Sequence, residues 1–342
     1  MGIKSGKPTI HDIARQLELN PSTVSRALNN HKAVSKRTRE LVHAKARAMN
    51  YQPNHIAAAL RKGRSKILGI IVPFTGRYFF ANIITGIEEA ANQQAYRVVV
   101  TQSHEDSARE AELVQTLLRM QVDGLLISRA KFGQFDPNLL KQIQDNGVGI
   151  QFFDNLPMDL EVAGVLIDDY RGGYLATKHL IEGGYRRIAH LRGSDQTHIY
   201  QDRFRGYRDA LQDAGLDQRE DWVVPIVSNV EDGRAALEKL WQGAEKPDAI
   251  FSSSDFAAVG CLQKAREMDI AVPQDLGVVG FANEPFTELV TPTLSSIDQQ
   301  TRSIGSRAAE RLLAALNNPT EAAPDHLVLL PELIVRESSR RS

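Results

Sequence analysis

Residues 9–29 carry the sequence TIHDIARQLELNPSTVSRALN, which predicts two short helices joined by a tight turn. In its first half the apolar residues recur at the spacing of one helix face, at Ile10, Ile13, Ala14 and Leu17. Thr9 is a favoured residue type for the N-terminal cap of this first helix, and residues 18–20 make the turn. A short amphipathic helix is therefore predicted here.

A second helix is predicted over residues 22–29. Asn20 can cap it with its side chain, and Pro21 suits its first turn, where a backbone N–H has no partner. Three apolar residues turn inward, Val24, Ala27 and Leu28. The residues left facing outward are Pro21, Ser22, Ser25, Arg26 and Asn29. Two short helices at this spacing make a helix-turn-helix, whose second helix presents its N-terminal end to a major groove.

A third helix follows, with Ser35 as its cap, and it is expected to close a small core with Leu41, Val42, Ala48 and Met49. The apolar pattern alone would fit any three-helix bundle. The charge favours DNA, because residues 1–66 hold 14 Lys or Arg and 3 Asp or Glu, whereas the remaining residues hold 27 and 39. A basic head on an acidic body is typical of a module that docks on phosphate.

Three motifs together resemble the lactose-repressor family of bacterial transcription regulators: residues 9–14, residues 21–29, and residues 50–54 followed by Ala57 and Leu60. The resemblance implies contacts with double-stranded operator DNA from Thr9, Pro21, Ser22, Thr23, Ser25, Arg26 and Asn29. It also implies a hinge helix that contacts the operator through Tyr51, Asn54, Ala57 and Leu60. In the family the hinge leucine wedges into the minor groove. Ala58 stands where an arginine is often found, although Arg61, Lys62 and Arg64 follow.

The rest of the chain has the composition of a large globular body. At 342 residues and 42% hydrophobic content, the chain suits two or three domains. The single cysteine, Cys261, excludes an internal disulfide and is typical of a reducing compartment. Neither an apolar run of membrane-spanning length nor the apolar block of a signal peptide is present. We therefore expect a cytoplasmic protein without a membrane partner.

From residue 67 onward, apolar runs of strand length alternate with helical patterns. A first set has strands at 67–72, 98–100, 124–127 and 150–153, and a second set is expected to start near Val165. Helices are predicted between these strands, one of them over 203–214. The fold class is α/β: a helix-turn-helix headpiece (1–52), a hinge helix and linker (53–66), and a two-lobed core of parallel sheets flanked by helices (67–342). The core resembles periplasmic sugar-binding proteins, which bind ligand between their lobes at the carboxyl ends of the strands.

Candidate effector-binding residues follow the predicted strands: Arg77, Phe79, Phe80, Asp154, Arg203, Asp255 and Asn283. The aromatic pair could stack on a sugar ring or simply pack the rim of the cleft. Asp154 could bind ligand or cap a turn, and the same choice applies to Asp255. Arg203 lies in a segment that resembles the family's Arg-x-x-Gly-aromatic signature, so it is expected to open a helix beside the cleft. Asn283 stands next to Ala282, where the family commonly has an acidic residue.

The chain is therefore interpreted as a transcription regulator and repressor that acts as a homodimer on a pseudo-palindromic operator. A small-molecule effector, a sugar or sugar derivative, is expected to gate it from the interlobe cleft. The alternative is a cytoplasmic sugar-binding or sugar-modifying protein with a nonspecific basic head. Enzyme motifs are missing, and nothing in the spacing of residues 252–255 and His190 supports a hydrolytic site. No catalytic residue, cofactor or metal is expected.

Overall fold

The computed structural model describes residues 8–51, 64–318 and 324–341. It divides into two compact units, Met1–Ser65 and Lys66–Ser342, which we call the headpiece and the core. The predicted hinge contacts at Asn54, Ala57 and Leu60 lie outside the described residues, and the boundaries proposed for the hinge at 53–66 remain a prediction. The two units are described separately.

The headpiece contains helices α1 (Ile10–Leu17), α2 (Pro21–Leu28) and α3 (Lys36–Ala48). Thr9 caps α1 as predicted: its Oγ1 accepts a hydrogen bond from the Asp12 backbone N–H, and the Asp12 carboxylate accepts one from the Thr9 N–H at 2.9 Å. Ser35 caps α3 as predicted, because its Oγ accepts a hydrogen bond from the Thr38 backbone N–H at 3.1 Å. The predicted side-chain cap at Asn20 is wrong, because only its backbone carbonyl accepts hydrogen bonds from the first turn of α2.

The headpiece core is built from Ile13, Ala14, Val24, Ala27, Val34, Val42 and Ala46, with Leu17, Leu28, Met49 and Tyr51 packed against it. Two residues predicted for this core lie outside it. Leu41 is 52% exposed and Ala48 is also exposed. Val42, Ala46 and Met49 follow the i, i+4, i+7 spacing of one helix face. Leu41 and Ala48 each precede one of these residues and therefore point away from that face.

The core of the chain is α/β, as predicted. Its described strands are β1 (Ile67–Val72), β2 (Arg97–Gln102), β3 (Gly124–Ile127), β4 (Gly149–Phe153), β5 (Gly164–Ile167), β6 (Ile188–Arg192), β7 (Val223–Pro225), β8 (Ala249–Ser252), β9 (Gly277–Phe281), β10 (Ser295–Asp298), β11 (His326–Leu329) and β12 (Glu332–Ile334). They form two sheets, ordered β11-β5-β4-β3-β1-β2 and β12-β10-β9-β8-β6-β7. All neighbours pair in parallel except β10 and β12.

Helices connect the strands and cover the sheets. They are α4 (Tyr78–Gln93), α5 (Ser107–Arg119), α6 (Pro137–Asp145), α7 (Asp169–Glu182), α8 (His198–Asp213), α9 (Val230–Trp241), α10 (Asp255–Glu267) and α11 (Thr301–Asn317). Lobe 1 consists of the first sheet with α4, α5, α6 and α11, and lobe 2 of the second sheet with α7 to α10. Central strands such as β1 and β8 are buried along nearly their whole length, which explains their continuous apolar runs.

The core differs from the sequence prediction at three points. The strand at Val165, which was expected to open the second set, is β5 of the first sheet. Helix α8 begins at His198, so Arg203 lies in its second turn instead of opening it. The strand β10 was not predicted, because its residues Ser295 and Ser296 are polar. The chain enters lobe 2 after β5, returns to lobe 1 after β10, and crosses again between β11 and β12.

Helices α7 and α8 approach each other closely at two glycines. A Cβ atom on Gly173 would collide with the carbonyl oxygen of Arg203, and a Cβ atom on Gly206 would collide with that of Tyr170. Both obstacles are backbone atoms, so neither can rotate away. Glycine at these positions lets the two helices touch along their backbones, which sets the position of Arg203 relative to the start of α7.

We predict that Gly206→Ala lowers the free energy of unfolding of the core by about 1–3 kcal/mol, the usual cost of overpacking. A loss of stability would be informative, because replacing glycine by alanine at an unobstructed helix position normally raises the free energy of unfolding by about 1 kcal/mol. The measurement is urea-induced unfolding. Gly76→Ala is the control, since no atom of the described residues lies within 4 Å of its added Cβ. A Gly206→Ala protein as stable as the wild type would contradict the close packing of α7 and α8.

Candidate functional site

The headpiece presents one face of α2 to its surroundings. Pro21, Ser22, Arg26 and Asn29 are exposed there, whereas Thr23 and Ser25 are half-buried. The Asn29 side chain donates a hydrogen bond to the Ser25 carbonyl at 2.8 Å, which fixes the end of the helix. Arg26 makes no ion pair with any described residue. The arrangement leaves a long cation and several small polar groups on a convex helix face, which suits contact with base edges in a groove.

The remaining headpiece residues predicted to contact DNA have structural partners. Thr9 is exposed, but its hydroxyl donates to an Asp12 carboxylate oxygen at 2.7 Å as part of the α1 cap. Tyr51 is half-buried against the headpiece core. Both residues hold the ends of the described headpiece in place. Folding of the headpiece therefore fixes their positions before any contact with DNA.

The second site is a cleft between the two lobes of the core. Its lining residues follow the carboxyl ends of β1, β3 and β4 in lobe 1 and of β6, β7, β8, β9 and β10 in lobe 2. The empty space between the lining residues measures about 640 Å³, including the part that is open to solvent. Six of the seven predicted effector residues line it, namely Arg77, Phe79, Phe80, Asp154, Arg203 and Asp255.

Arg203 is held in the cleft by a buried network. Its Nε donates to Oδ1 of Asp169 at 2.7 Å and its Nη1 to the Ser253 carbonyl at 2.9 Å, and the side chain is only 7% exposed. Its guanidinium carbon lies 3.6 Å from the centroid of the Phe281 ring. Burial raises the pKa of Asp169 to about 6, although the nearby Arg203 charge lowers it. The guanidinium is thus oriented before any ligand arrives.

Asp154 supplies a carboxylate from lobe 1. It follows β4 directly with a φ of +61°, a left-handed conformation that turns the chain away from the sheet. The Ser128 hydroxyl donates to its Oδ2 at 3.0 Å. Burial in the cleft raises the pKa of Asp154 to about 7, against the opposing effect of the Lys131 ammonium. This carboxyl is therefore ready to accept hydrogen bonds from a ligand or to take up a proton.

Lys131 and Tyr200 form a contact between the lobes. The Lys131 Nζ lies 3.4 Å from the Tyr200 hydroxyl across the cleft and 3.7 Å from Glu105 within lobe 1. Burial opposes the charge of Lys131, but Tyr200 and Glu105 raise its pKa overall. Burial likewise raises the pKa of Tyr200, and the Lys131 and Arg203 charges more than offset it, so that the net shift is downward. Each group thereby favours the other's charged form across the gap between the lobes.

Asp255 lies at the start of α10 and is almost fully engaged by its own lobe. Its two carboxylate oxygens accept hydrogen bonds from the Ser296 hydroxyl at 2.6 Å and from the Glu284 backbone N–H at 2.8 Å. Burial raises its pKa to about 6 despite these donors. Asp255 therefore ties the end of β9 to β10, in addition to lining the cleft.

Asn283 is not among the lining residues of the cleft. Its amide nitrogen donates to Asp298 at 2.7 Å and its amide oxygen accepts from Arg336 at 3.0 Å, so its side chain joins β10 to the segment after β12. The neighbouring Ala282 does line the cleft, with a φ of +123° that is unusual for a residue with a Cβ atom. Glu284 also lines it. The polar side chain that lines the cleft after β9 is therefore that of Glu284, one residue after the predicted Asn283.

The side chains considered for a hydrolytic site, those of Ser252, Ser253 and His190, bond to backbone carbonyls and not to one another. The Ser252 hydroxyl donates to the Ser254 carbonyl at 2.7 Å, and the Ser253 hydroxyl donates to the Leu191 carbonyl at 2.8 Å. His190 is fully buried, with Nδ1 donating to the Phe251 carbonyl and its ring stacked between aromatic rings. Burial lowers its pKa to about 3. The described residues also contain no cluster of His, Cys, Asp or Glu that could hold a metal ion and no helix that could span a membrane.

Comparison with known proteins agrees with this arrangement of a helix-turn-helix and a two-lobed core. Residues 9–54 match the family described as "Bacterial regulatory proteins, lacI family", and residues 177–339 match a "Periplasmic binding protein-like domain". The ribose operon repressor of Haemophilus influenzae is 32% identical over 330 residues, covering 96% of this chain and 98% of that protein. The chain belongs to the LacI family of bacterial regulatory proteins. As a member of this family, it is a DNA-binding transcription regulator.

Solved structures support the fold over the whole chain. The complex of the transcriptional regulator CelR with cellobiose has a TM-score of 0.72 and 29% sequence identity, covering 97% of this chain and 99% of that one. The dimer of the Lac repressor bound to operator and the anti-inducer ONPF has a TM-score of 0.85 and 23% identity, covering 98% and 100%. The second similarity supports the fold alone.

Sequence reasoning missed several polar residues of the cleft in this LacI-family chain. Asp169, which holds Arg203 without lining the cleft itself, lies two residues beyond strand β5, where the strand-end rule that found Asp154 and Asp255 also points. Lys131 lies four residues beyond β3 and Tyr200 lies within α8, positions that carry no pattern of their own. Only the folded chain brings these two side chains together.

We predict that Asp154→Asn changes the dependence of core stability on pH. The pKa of Asp154 is raised to about 7 in the folded state, so the folded protein binds this proton more tightly than the unfolded chain and loses stability as pH rises from about 4 to 7. The variant cannot titrate there. Its stability relative to the wild type should therefore increase by about 2–3 kcal/mol between pH 5 and 8. Denaturant unfolding at several pH values measures this difference; one that is independent of pH would contradict the raised pKa.

Proposed function

We propose that this protein is a repressor that binds a pseudo-palindromic operator as a homodimer and is gated by a small polyhydroxylated effector in the interlobe cleft. The observation that carries the proposal is the cleft itself. Arg203 and Asp255 reach it from lobe 2, while Arg77 and Asp154 reach it from lobe 1. A ligand that contacts both sets of groups would favour one arrangement of the lobes over others.

The chemistry of the cleft fits a sugar or sugar derivative. Phe79 lines it beside Phe80, and the two rings pack edge to face with centroids 5.0 Å apart. Aromatic faces suit the apolar side of a sugar ring, and the carboxylates and the Arg203 guanidinium suit its hydroxyl groups. The relatives named above, a ribose operon repressor and a cellobiose-bound regulator, are consistent with a carbohydrate effector.

Gating follows from linkage between the cleft and the DNA. If the effector binds one lobe arrangement more tightly, and that arrangement changes the affinity of the dimer for its operator, then operator and effector alter each other's affinity by the same factor. The function is one of binding without chemical turnover, and we place it in the bacterial cytoplasm, where the operator is. On the DNA side, Pro21, Ser22 and Arg26 would read base edges, with the hinge residues up to Leu60 acting in the minor groove.

The alternative function is a sugar-binding or sugar-modifying protein with a nonspecific basic head. It is less well supported, because the exposed face of α2 combines Arg26 with short polar side chains suited to base readout. Footprinting of genomic fragments separates the two functions. A sequence-selective footprint supports the regulator, whereas uniform protection of all fragments supports the alternative.

We predict that Arg26→Ala weakens binding to the selected operator by about 1–3 kcal/mol and relaxes the preference at one base pair. Arg26 is exposed and lies on the recognition helix, so its loss should leave the headpiece fold intact. The measurement is operator affinity across a set of single base-pair variants. Equal losses on operator and random DNA would mean that Arg26 contacts only phosphate.

We predict that Arg203→Ala still binds operator but no longer responds to the effector concentrations that saturate the wild type. Each hydrogen bond to a charged group is worth about 1.5–3 kcal/mol, so effector affinity should fall roughly 10- to 100-fold. Operator affinity is measured with and without effector for both proteins. Arg205→Ala is the control, because this arginine lies two residues away on the same helix, half exposed and outside the cleft lining. A full response from Arg203→Ala would contradict the assigned site.

A further inference from the structure

Glu284 places a buried carboxylate in the cleft. It follows β9 by three residues, lines the cleft and is only 6% exposed. Its backbone N–H donates to Asp255, which fixes its place, and the neighbouring Thr287 hydroxyl donates to the Glu284 backbone carbonyl. Within the described residues, no hydrogen bond or ion pair reaches the Glu284 carboxylate itself. Because the Glu284 carboxylate faces the cleft without a protein partner, water or a ligand must supply its hydrogen-bond donors.

The positive charges of the cleft are mostly used by other carboxylates. Arg203 is paired with Asp169 at 2.7 Å, and Lys131 lies 3.7 Å from Glu105 and 3.4 Å from the Tyr200 hydroxyl. The third cation, Arg77, is exposed at the rim. Against it stand the carboxylates of Asp154, Asp255 and Glu284. Within the described residues, no cation lies at ion-pair distance from any of these three carboxyl groups, so they outnumber the one unpaired cation of the cleft.

From this geometry we propose that the effector carries a protonated amine, which pairs with Glu284, on a polyhydroxylated framework such as an amino sugar. This inference rests on the proposed function, because it concerns the same cleft and names the chemical class of its ligand. The hydroxyl groups of the framework bond Asp154 and Arg203, which are oriented for that task by Ser128 and Asp169.

Three classes of ligand are distinguished by the charge of the cleft. A sugar phosphate or sugar acid would bring a further negative charge close to Glu284 and Asp154, which disfavours binding. A neutral sugar leaves Glu284 either charged without a partner or protonated; burial and the Asp255 charge already raise its pKa to about 7, against the effect of Arg77. An ammonium group supplies up to three donors and the opposite charge, and such charge-assisted hydrogen bonds are about twice as strong as neutral ones.

The first test compares ligands of matched shape by calorimetry on the full-length wild-type protein at pH 7.5. D-glucose, D-galactose and D-mannose are each measured beside their 2-amino-2-deoxy, N-acetylated amino and 6-phosphate forms. We expect at least one amino sugar to bind ten times or more tighter than both its parent sugar and its N-acetyl form, and every phosphate to bind more weakly than its parent. A preference below tenfold in every set, or a phosphate as the tightest ligand, would overturn the proposal.

The second test removes the charge at Glu284 without changing the size of the side chain. In Glu284→Gln the preference for the amine should fall below threefold, while affinity for the parent sugar stays within threefold of wild type. Glu288→Gln is the matched control: it lies four residues away, is exposed and pairs with Arg336 outside the cleft, so it should keep the full preference. Thermal unfolding verifies that both variants fold. A Glu284→Gln protein that retains the full preference would assign the amine to another carboxylate and overturn the role of Glu284.

The outcome for the ligand class is separate from the outcome for the proposed function. Operator footprints are recorded with and without each sugar. If a neutral sugar or a phosphate alters a sequence-selective footprint, the regulator stands and only the amine is excluded. If the footprint is not sequence-selective, the proposed function fails whatever the calorimetry finds.

Discussion

The buried ion pair between Arg203 and Asp169 is the interaction on which the cleft depends. Both side chains are almost fully removed from water, so the pair is stable only because the hydrogen bond to Ser253 and the face of the Phe281 ring complete its surroundings. Removing one partner of such a pair typically costs about 3–5 kcal/mol, since the other charge is left buried. The pair joins α7 to α8, and the contact of these helices at Gly173 and Gly206 gives it room to form.

The lobes meet across the cleft through polar groups whose charges depend on one another. Lys131 from lobe 1 and Tyr200 from lobe 2 approach each other directly. The pKa values of two other cleft carboxyls, Asp154 and Glu284, are raised because burial is only partly compensated by nearby positive charge. Such carboxyl groups can respond to a ligand in two ways, by accepting hydrogen bonds from it and by exchanging protons with water. A ligand that donates hydrogen bonds to these carboxyl groups therefore gains affinity and at the same time favours the lobe arrangement in which it can reach them.

Much of this architecture could be predicted from the sequence, because the signals were local. Apolar runs located most of the strands, and Thr9 and Ser35 marked helix starts by their own hydrogen bonds. The strand-end rule found Asp154 and Asp255. The same rule misplaced Asn283. The Asn283 side chain turns away from the cleft because it bonds to Asp298 and Arg336, which are more than ten residues away in the sequence. The same dependence on distant partners concealed the pairing of Lys131 with Tyr200 and the lobe to which β5 belongs.

The crossing of the last helix and strands between the lobes determines the order in which parts of the protein can fold during synthesis. Lobe 1 takes its helix α11 and its edge strand β11 from the end of the chain, and α11 supplies Leu312 and Leu313 to the core of that lobe. Ribosomes add about 5–20 residues per second and domains generally fold as units, the N-terminal ones first. The headpiece can therefore fold early in synthesis, whereas lobe 1 stays incomplete until residue 329 has emerged and lobe 2 until β12 follows it. The nascent chain thus acquires its DNA-binding unit well before it acquires a closed effector cleft.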